Sequence, residues 1–147
     1  MIRRATPEDA DAIADVLTAA RAEQQWMPRI YTADGDRNFV RTKLMPTHEV
    51  WVAEEDGSVV GFAALDGSLL GHIFVHPRAQ GRGIGRALMG KTKRLLPDGF
   101  TLWTHQPNEQ ARRFYERAGL VAVEFTDGAT NMEKVPDVRY EWRPEAR

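Results

Sequence analysis

No cysteine occurs in this chain of 147 residues. That absence removes disulfides, thiolate metal sites and a cysteine nucleophile together. The four histidines, His48, His72, His76 and His105, fall into no HExxH-like ligand spacing, so no metal site is expected. No apolar run approaches the roughly eighteen residues of a membrane span. The opening MIRRATPEDADAIADVL carries two arginines and then acidic residues where a signal peptide has its apolar core. Charge of one sign is missing as well: 20 Lys and Arg face 21 Asp and Glu, a net charge of −1. That balance argues against a nucleic-acid partner or a membrane-surface binder. The expectation is a single domain over residues 1–147, in the cytoplasm, with a core of ordinary size.

Apolar spacing and turn residues then divide the chain. Ile2 to Ala5 reads as a strand. Thr6 with Pro7 opens a helix whose Ala12, Ile13, Val16, Leu17 and Ala20 carry it to about Glu23. A second helix is expected over residues 36 to 45. Strands follow at Glu49 to Glu54 and Val59 to Leu65, joined by a glycine-containing hairpin, and then from about Leu69 to Val75. A helix ends near Leu96, FTLWTH is a strand, and Asn108 to Ala118 is a helix stopped by Gly119. Leu120 to Thr126 and Val138 to Trp142 complete the order β-α-α-β-β-β-α-β-α-β-β, with only the last four residues as a loose tail. The fold class is α/β (α+β mixed), a mixed sheet flanked by helices.

One local absence is the most informative. Between Gly67 and Pro97 there is no Asp or Glu, yet Arg78, Arg82, Arg86, Lys91, Lys93 and Arg94 all fall there. Inside that stretch HPRAQGRGIGRALM places three glycines at the start of a helix. Glycine costs about 1 kcal/mol against alanine inside a helix, so the cluster needs a reason. A helix start leaves four N–H groups unpaired and carries roughly half a positive charge. Glycines let a phosphate reach those groups with no Cβ in the way. The competing reading is a tight turn beside a solvated basic helix face.

Three phosphate motifs compete for the segment. G-x-G-x-x-G fails, because the third glycine position counted from Gly83 is Leu88. Residues 85 to 92, GRALMGKT, formally match a nucleoside-triphosphate loop, but RALM favours helix and no magnesium-holding strand follows. Q-x-x-G-x-G is met by Gln80, Gly83 and Gly85. Together with NEQARRFYERAGL at 108 to 120, this resembles the GCN5-related N-acetyltransferase (GNAT) family, and the ending resembles a bacterial subgroup of it. The two motifs cover residues 72 to 120.

The resemblance implies a GNAT-type fold with a mostly antiparallel sheet, and acetyl-CoA as donor. It implies that the donor's diphosphate sits on the N–H groups of Gly81, Arg82, Gly83, Ile84, Gly85 and Arg86. The pantetheine arm would lie along Ile73, Phe74 and Val75, where this strand splays from the next. It further implies the N–H of Val75 as oxyanion donor and Tyr115 as the acid for the departing thiolate. Spacing alone puts Asn108, Arg112 and Tyr115 on one helix face, at i, i+4 and i+7. A polar stripe of that kind, aimed at a cleft, is expected to bind the cofactor; for Asn108 and Arg112 the alternatives, a helix cap and a solvated side chain, stand equally open.

An alkyl amine with a pKa near ~10.4 is mostly protonated at pH 7, so a proton acceptor is required. Without cysteine the route is direct attack in a ternary complex. His72 is the candidate base, with His105 able to face the acceptor cavity equally well. The acceptor is an amine on a small molecule or peptide, walled by Trp26, Met27, Tyr31 and Trp103 unless these are core. Asp127, Glu133 and Asp137 are expected in a solvated loop, the alternative being attraction of a cationic amine. A homodimer is possible. Rival readings are a CoA-binding module without catalysis and a nucleotide binder.

Overall fold

The computed structural model describes residues 1–144. Seven strands form one sheet in the order β1-β2-β3-β4-β5-β7-β6. They are β1 Ile2–Arg4, β2 Glu49–Glu55, β3 Ser58–Asp66, β4 Leu69–Val75, β5 Phe100–His105, β6 Val121–Phe125 and β7 Asp137–Trp142. Every neighbouring pair is antiparallel except β4 and β5, which run parallel. The helices are α1 Ala10–Ala22, α2 Ala33–Phe39, α3 Met45–Thr47, α4 Ile84–Leu95 and α5 Glu109–Arg117. Residues 144–147, the expected tail, lie almost wholly outside the described residues.

The sheet is covered on both faces, which is why β3 is buried over six consecutive residues. On one face Ile13 and Leu17 of α1 pack with Val40, Leu44, Val52 and Phe62. On the other, Leu88 and Met89 of α4 pack with Leu102, Tyr115, Val138 and Tyr140.

The second helix differs from expectation. It begins at Ala33, because the Thr32 hydroxyl accepts from the Gly35 N–H at 3.0 Å and caps it. Asp36, expected at the helix start, is instead buried, with Arg21 at 2.8 Å and the Thr18 hydroxyl at 2.6 Å. Beyond Phe39 the chain widens into a π turn over Val40–Leu44. Pro46 explains it: the residue has no N–H for the Thr42 carbonyl and its ring crowds that oxygen. The helical path therefore runs to Thr47.

The join between β4 and β5 positions the site. One register pair, Leu69 with Thr101, holds them together, supported by the Thr101 N–H on the Ser68 carbonyl at 3.0 Å. Beyond it the strands diverge into a V-shaped gap.

Candidate active site

The glycine segment is built as a cradle. Gly83 caps α4 in the left-handed conformation, φ 82°, and Cβ atoms built at Gly81 and Gly83 would meet nothing within 4 Å. Among the described residues, the N–H groups of residues 81–86 donate to no carbonyl or side chain. Six free amides at one helix mouth suit a diphosphate. The Arg86 side chain lines the cleft that opens there, whereas the Arg82 guanidinium turns away to Glu55 at 2.7 Å. Residues 85–92 lie within α4, as the helix-favouring RALM implied, with Thr92 bonded to the Leu88 carbonyl and the Lys91 ammonium 4.2 Å from the Trp51 ring centre.

The cleft, about 1200 Å³, follows the gap between β4 and β5. The His76 N–H donates to the Val60 carbonyl at 2.8 Å. Alternation along an antiparallel ladder then directs Phe74 toward β3 and the N–H groups of Ile73 and Val75 toward the gap. The Val75 carbonyl, pointing the same way, accepts from Gln80 Nε2 at 3.2 Å.

Helix α5 delivers Tyr115 to this junction. Its ring packs between Phe114 and Tyr140, and its hydroxyl has no protein partner among the described residues. Burial raises its pKa above the ordinary phenol value, with Tyr140 adding to the effect. The expected polar stripe does not survive intact. Arg112 Nε lies on the Tyr140 hydroxyl at 3.0 Å, and the guanidinium stands over Phe125, outside the cleft. The reason is that Tyr140, bonded also to Glu116 at 2.6 Å, offers a part-buried acceptor on the β7 side of α5. Asn108 borders the cleft while its Oδ1 caps α5 through the Ala111 N–H at 3.2 Å.

The opposite wall carries the acceptor candidates. Trp26, Met27 and Trp103 line the cleft, and Trp103 is 41% exposed. His72 also lines it, with its ring edge-on to Phe39 at 5.7 Å and 6.0 Å from His48. Burial lowers its pKa to about 4, helped by His48 and Arg21. At neutral pH it is therefore an uncharged and weak proton acceptor, poorly matched to a base's task. His76 is a loop residue whose Nδ1 accepts from the Arg78 N–H at 3.2 Å.

Sequence reasoning undervalued Glu133. Its side chain is only 15% exposed, where a solvated loop was expected. One carboxylate oxygen lies 3.2 Å from His105 Nε2 and the other accepts from the Tyr31 hydroxyl. Burial opposes its ionisation, yet the bonds from Tyr31 and His105 hold its pKa below the usual range. Tyr31 sits just outside the cleft, its ring 3.8 Å from the Arg21 guanidinium carbon, and burial with Glu133 lifts its pKa to about 12. Asp127 behaves as expected, in an Asx turn to the Ala129 N–H at 2.9 Å. Asp137 is held by Thr126 and Asn131.

A strand gap beside a helix mouth of free amides suits the class of proteins that bind a long diphosphate-bearing carrier. Comparison narrows the class. A family model described as an acetyltransferase (GNAT) domain matches residues 46–120, more than half of the chain, and the chain belongs to that family. The chain is 37% identical over 87 residues to YiaC of Escherichia coli, a peptidyl-lysine N-acetyltransferase; the match spans 58% of this chain and 59% of that protein. YjaB of Escherichia coli, also a peptidyl-lysine N-acetyltransferase, is 28% identical over 121 residues, 81% of this chain and 80% of its own. The solution structure of apo YjaB superposes with a TM-score of 0.79 at 24% identity, covering 97% and 96% of the two chains. The PaiA N-acetyltransferase of Thermoplasma acidophilum, solved with coenzyme A, gives 0.77 at 19% identity, covering 97% and 98%. These superpositions bear out the mixed, mostly antiparallel GNAT fold.

Proposed function

We propose that this enzyme moves the acetyl group of acetyl-CoA to a primary amine, the side-chain amine of lysine in a peptide, by direct attack. The observation that carries the reading is the continuous path from the free amides of residues 81–86 into the gap between β4 and β5. The names of YiaC and YjaB support the lysine acceptor.

Acetyl-CoA supplies a thioester ready for acyl transfer. The amides of Gly81 to Arg86 hold the diphosphate, and the strand edge at Ile73 and Val75 takes the amide-bearing arm as a partial added strand. The Val75 N–H donates to the charge that develops on the thioester oxygen. Tyr115 keeps its proton at neutral pH and donates a hydrogen bond to the departing sulfur. A phenol with a raised pKa yields its proton to a thiolate of pKa near ~8.5 only as it is refilled. Tyr115 therefore works as a relay for a proton released by the acceptor nitrogen. With no cysteine in the chain, no acetyl-cysteine step competes.

The test is thiol release from acetyl-CoA with lysine-containing peptides, free lysine, polyamines and aminoglycosides. The expected result is release with the peptides and an acetyl group on the lysine by mass spectrometry. Coenzyme A binding without thiol release on any acceptor would instead support the non-catalytic module.

A further inference from the structure

Three features converge on one point of the acceptor wall. His105 ends β5, four residues beyond the single register pair with β4, which sets it across the open gap from Ile73. Its side chain is 20% exposed, lines the cleft, and lies beneath Trp26 with ring centres 4.9 Å apart. Its Nε2 faces Glu133 at 3.2 Å, and among the described residues Nδ1 has no partner.

The loop that presents Glu133 is shaped for that purpose. Gly128, φ 80°, has no room for a Cβ, which would run into the Val135 carbonyl. Asn131 Nδ2 bonds that carbonyl at 2.7 Å, and Lys134 adopts a left-handed φ of 56° while its ammonium caps the Ala129 carbonyl at 2.8 Å. This self-bonded loop turns the Glu133 carboxylate inward, where Tyr31 fixes its second oxygen. A carboxylate locked on one imidazole nitrogen selects the tautomer with hydrogen on Nε2, leaving a lone pair on Nδ1.

We propose that His105 is the proton acceptor for the amine substrate, with Glu133 as its positioning residue, in a subsite that receives a primary alkylammonium group beside Trp26. This rests on the acetyl-transfer reading above. An alkylammonium must lose two protons to become an amide. One passes to His105 Nδ1 and on to solvent, freeing the nitrogen lone pair. The nitrogen–carbon bond then forms, the carbon–sulfur bond breaks, and the second proton reaches sulfur through Tyr115. Glu133 stabilises the imidazolium formed in the first step.

Other charged groups around His105 are already committed. Asp137, its neighbour on β7, is held by Thr126 and Asn131. Arg21 of α1 is paired with Asp36 of α2 at 2.8 Å. His72 on β4 is neutral at working pH, and Glu109, at the start of α5, lies 3.8 Å from the Arg113 guanidinium.

The experiment combines kinetics with nitrogen NMR of the free protein. His105→Ala should lower kcat/KM for a lysine peptide about a hundredfold, leave coenzyme A affinity within twofold, and regain activity with added imidazole. Glu133→Gln should move the acid limb of the kcat/KM profile to lower pH, since the imidazolium loses its counter-charge. In the spectra, hydrogen should reside on His105 Nε2 in the wild type and redistribute in Glu133→Ala. Wild-type kinetics and pH profile in His105→Ala, or hydrogen on Nδ1 in the wild type, would overturn the proposal while acetyl transfer stands. No turnover by the wild-type enzyme on any amine would overturn both.

Discussion

The two walls of the cleft are made of different material. The donor wall is mostly main chain: unpaired amides of residues 81–86 and the strand edge at Ile73 and Val75. The acceptor wall is mostly side chain: Trp26, His72, Trp103, His105 and Glu133, drawn from segments up to 107 residues apart, from 26 to 133. The charges differ accordingly. A helix mouth and Arg86 leave the donor wall positive and open to an anion, whereas the acceptor wall's Glu133 already has protein partners in Tyr31 and His105. On the function proposed above, main chain would bind a feature every coenzyme A shares, while side chains can vary with the acceptor. A cleft of this kind keeps its donor and changes its customer.

The largest expected effect tests the point where the walls meet. Tyr115→Phe keeps the ring's packing against Tyr140 and removes one hydroxyl. It should cut kcat about a thousandfold, within the span of general acid–base contributions, while coenzyme A affinity by calorimetry stays unchanged. Equal loss of both would make Tyr115 a binding group of the donor wall alone. Next in size is the donor wall itself. Coenzyme A at a hundred times its Kd stabilises the folded state by about 2.7 kcal/mol, or roughly 8 °C in melting temperature. Gly83→Val should abolish that shift, because a branched side chain enters the cradle at a left-handed φ. A retained shift would move the diphosphate elsewhere.

That contrast also explains what was legible in the sequence. Backbone sites leave contiguous signatures, since a glycine spacing and a helix start are local; the cradle stood out in this way, whereas the β4 edge came only as what the family resemblance implies. The order of elements along the chain followed from hairpin turns and apolar spacing, whereas the place of β7 between β5 and β6 did not. Arg112 was misread because helical spacing fixes a face, whereas the choice of partner depends on Tyr140, 28 residues on. Glu133 and His105 are equally separated, by 28 residues. A usable signal did exist: His105 closes the strand running parallel to β4, and ligands gather at the carboxyl ends of parallel strands. The helix at Ala33 was missed through Thr32, a cap that periodicity does not weigh.

The smallest effect concerns the acceptor wall's interior and separates packing from chemistry. His72 has an ordinary value of 6.5 that burial lowers to about 4 in the folded protein. Between those values the unfolded chain binds more protons than the folded one, so stability falls as pH drops from 6.5 toward 4. Its partial exposure to the cleft moderates the cost, leaving about 2 kcal/mol lost between pH 7 and 4.5. Urea unfolding at the two pH values measures it. His72→Leu removes the proton site while keeping an apolar side chain against Phe39 and Phe74, and should remove most of that difference. If His72 serves only as wall, the same variant keeps the acid limb of catalysis that His105 and Glu133 govern. Loss of that limb in His72→Leu would make His72 the base after all, because packing alone leaves a pH profile where it was.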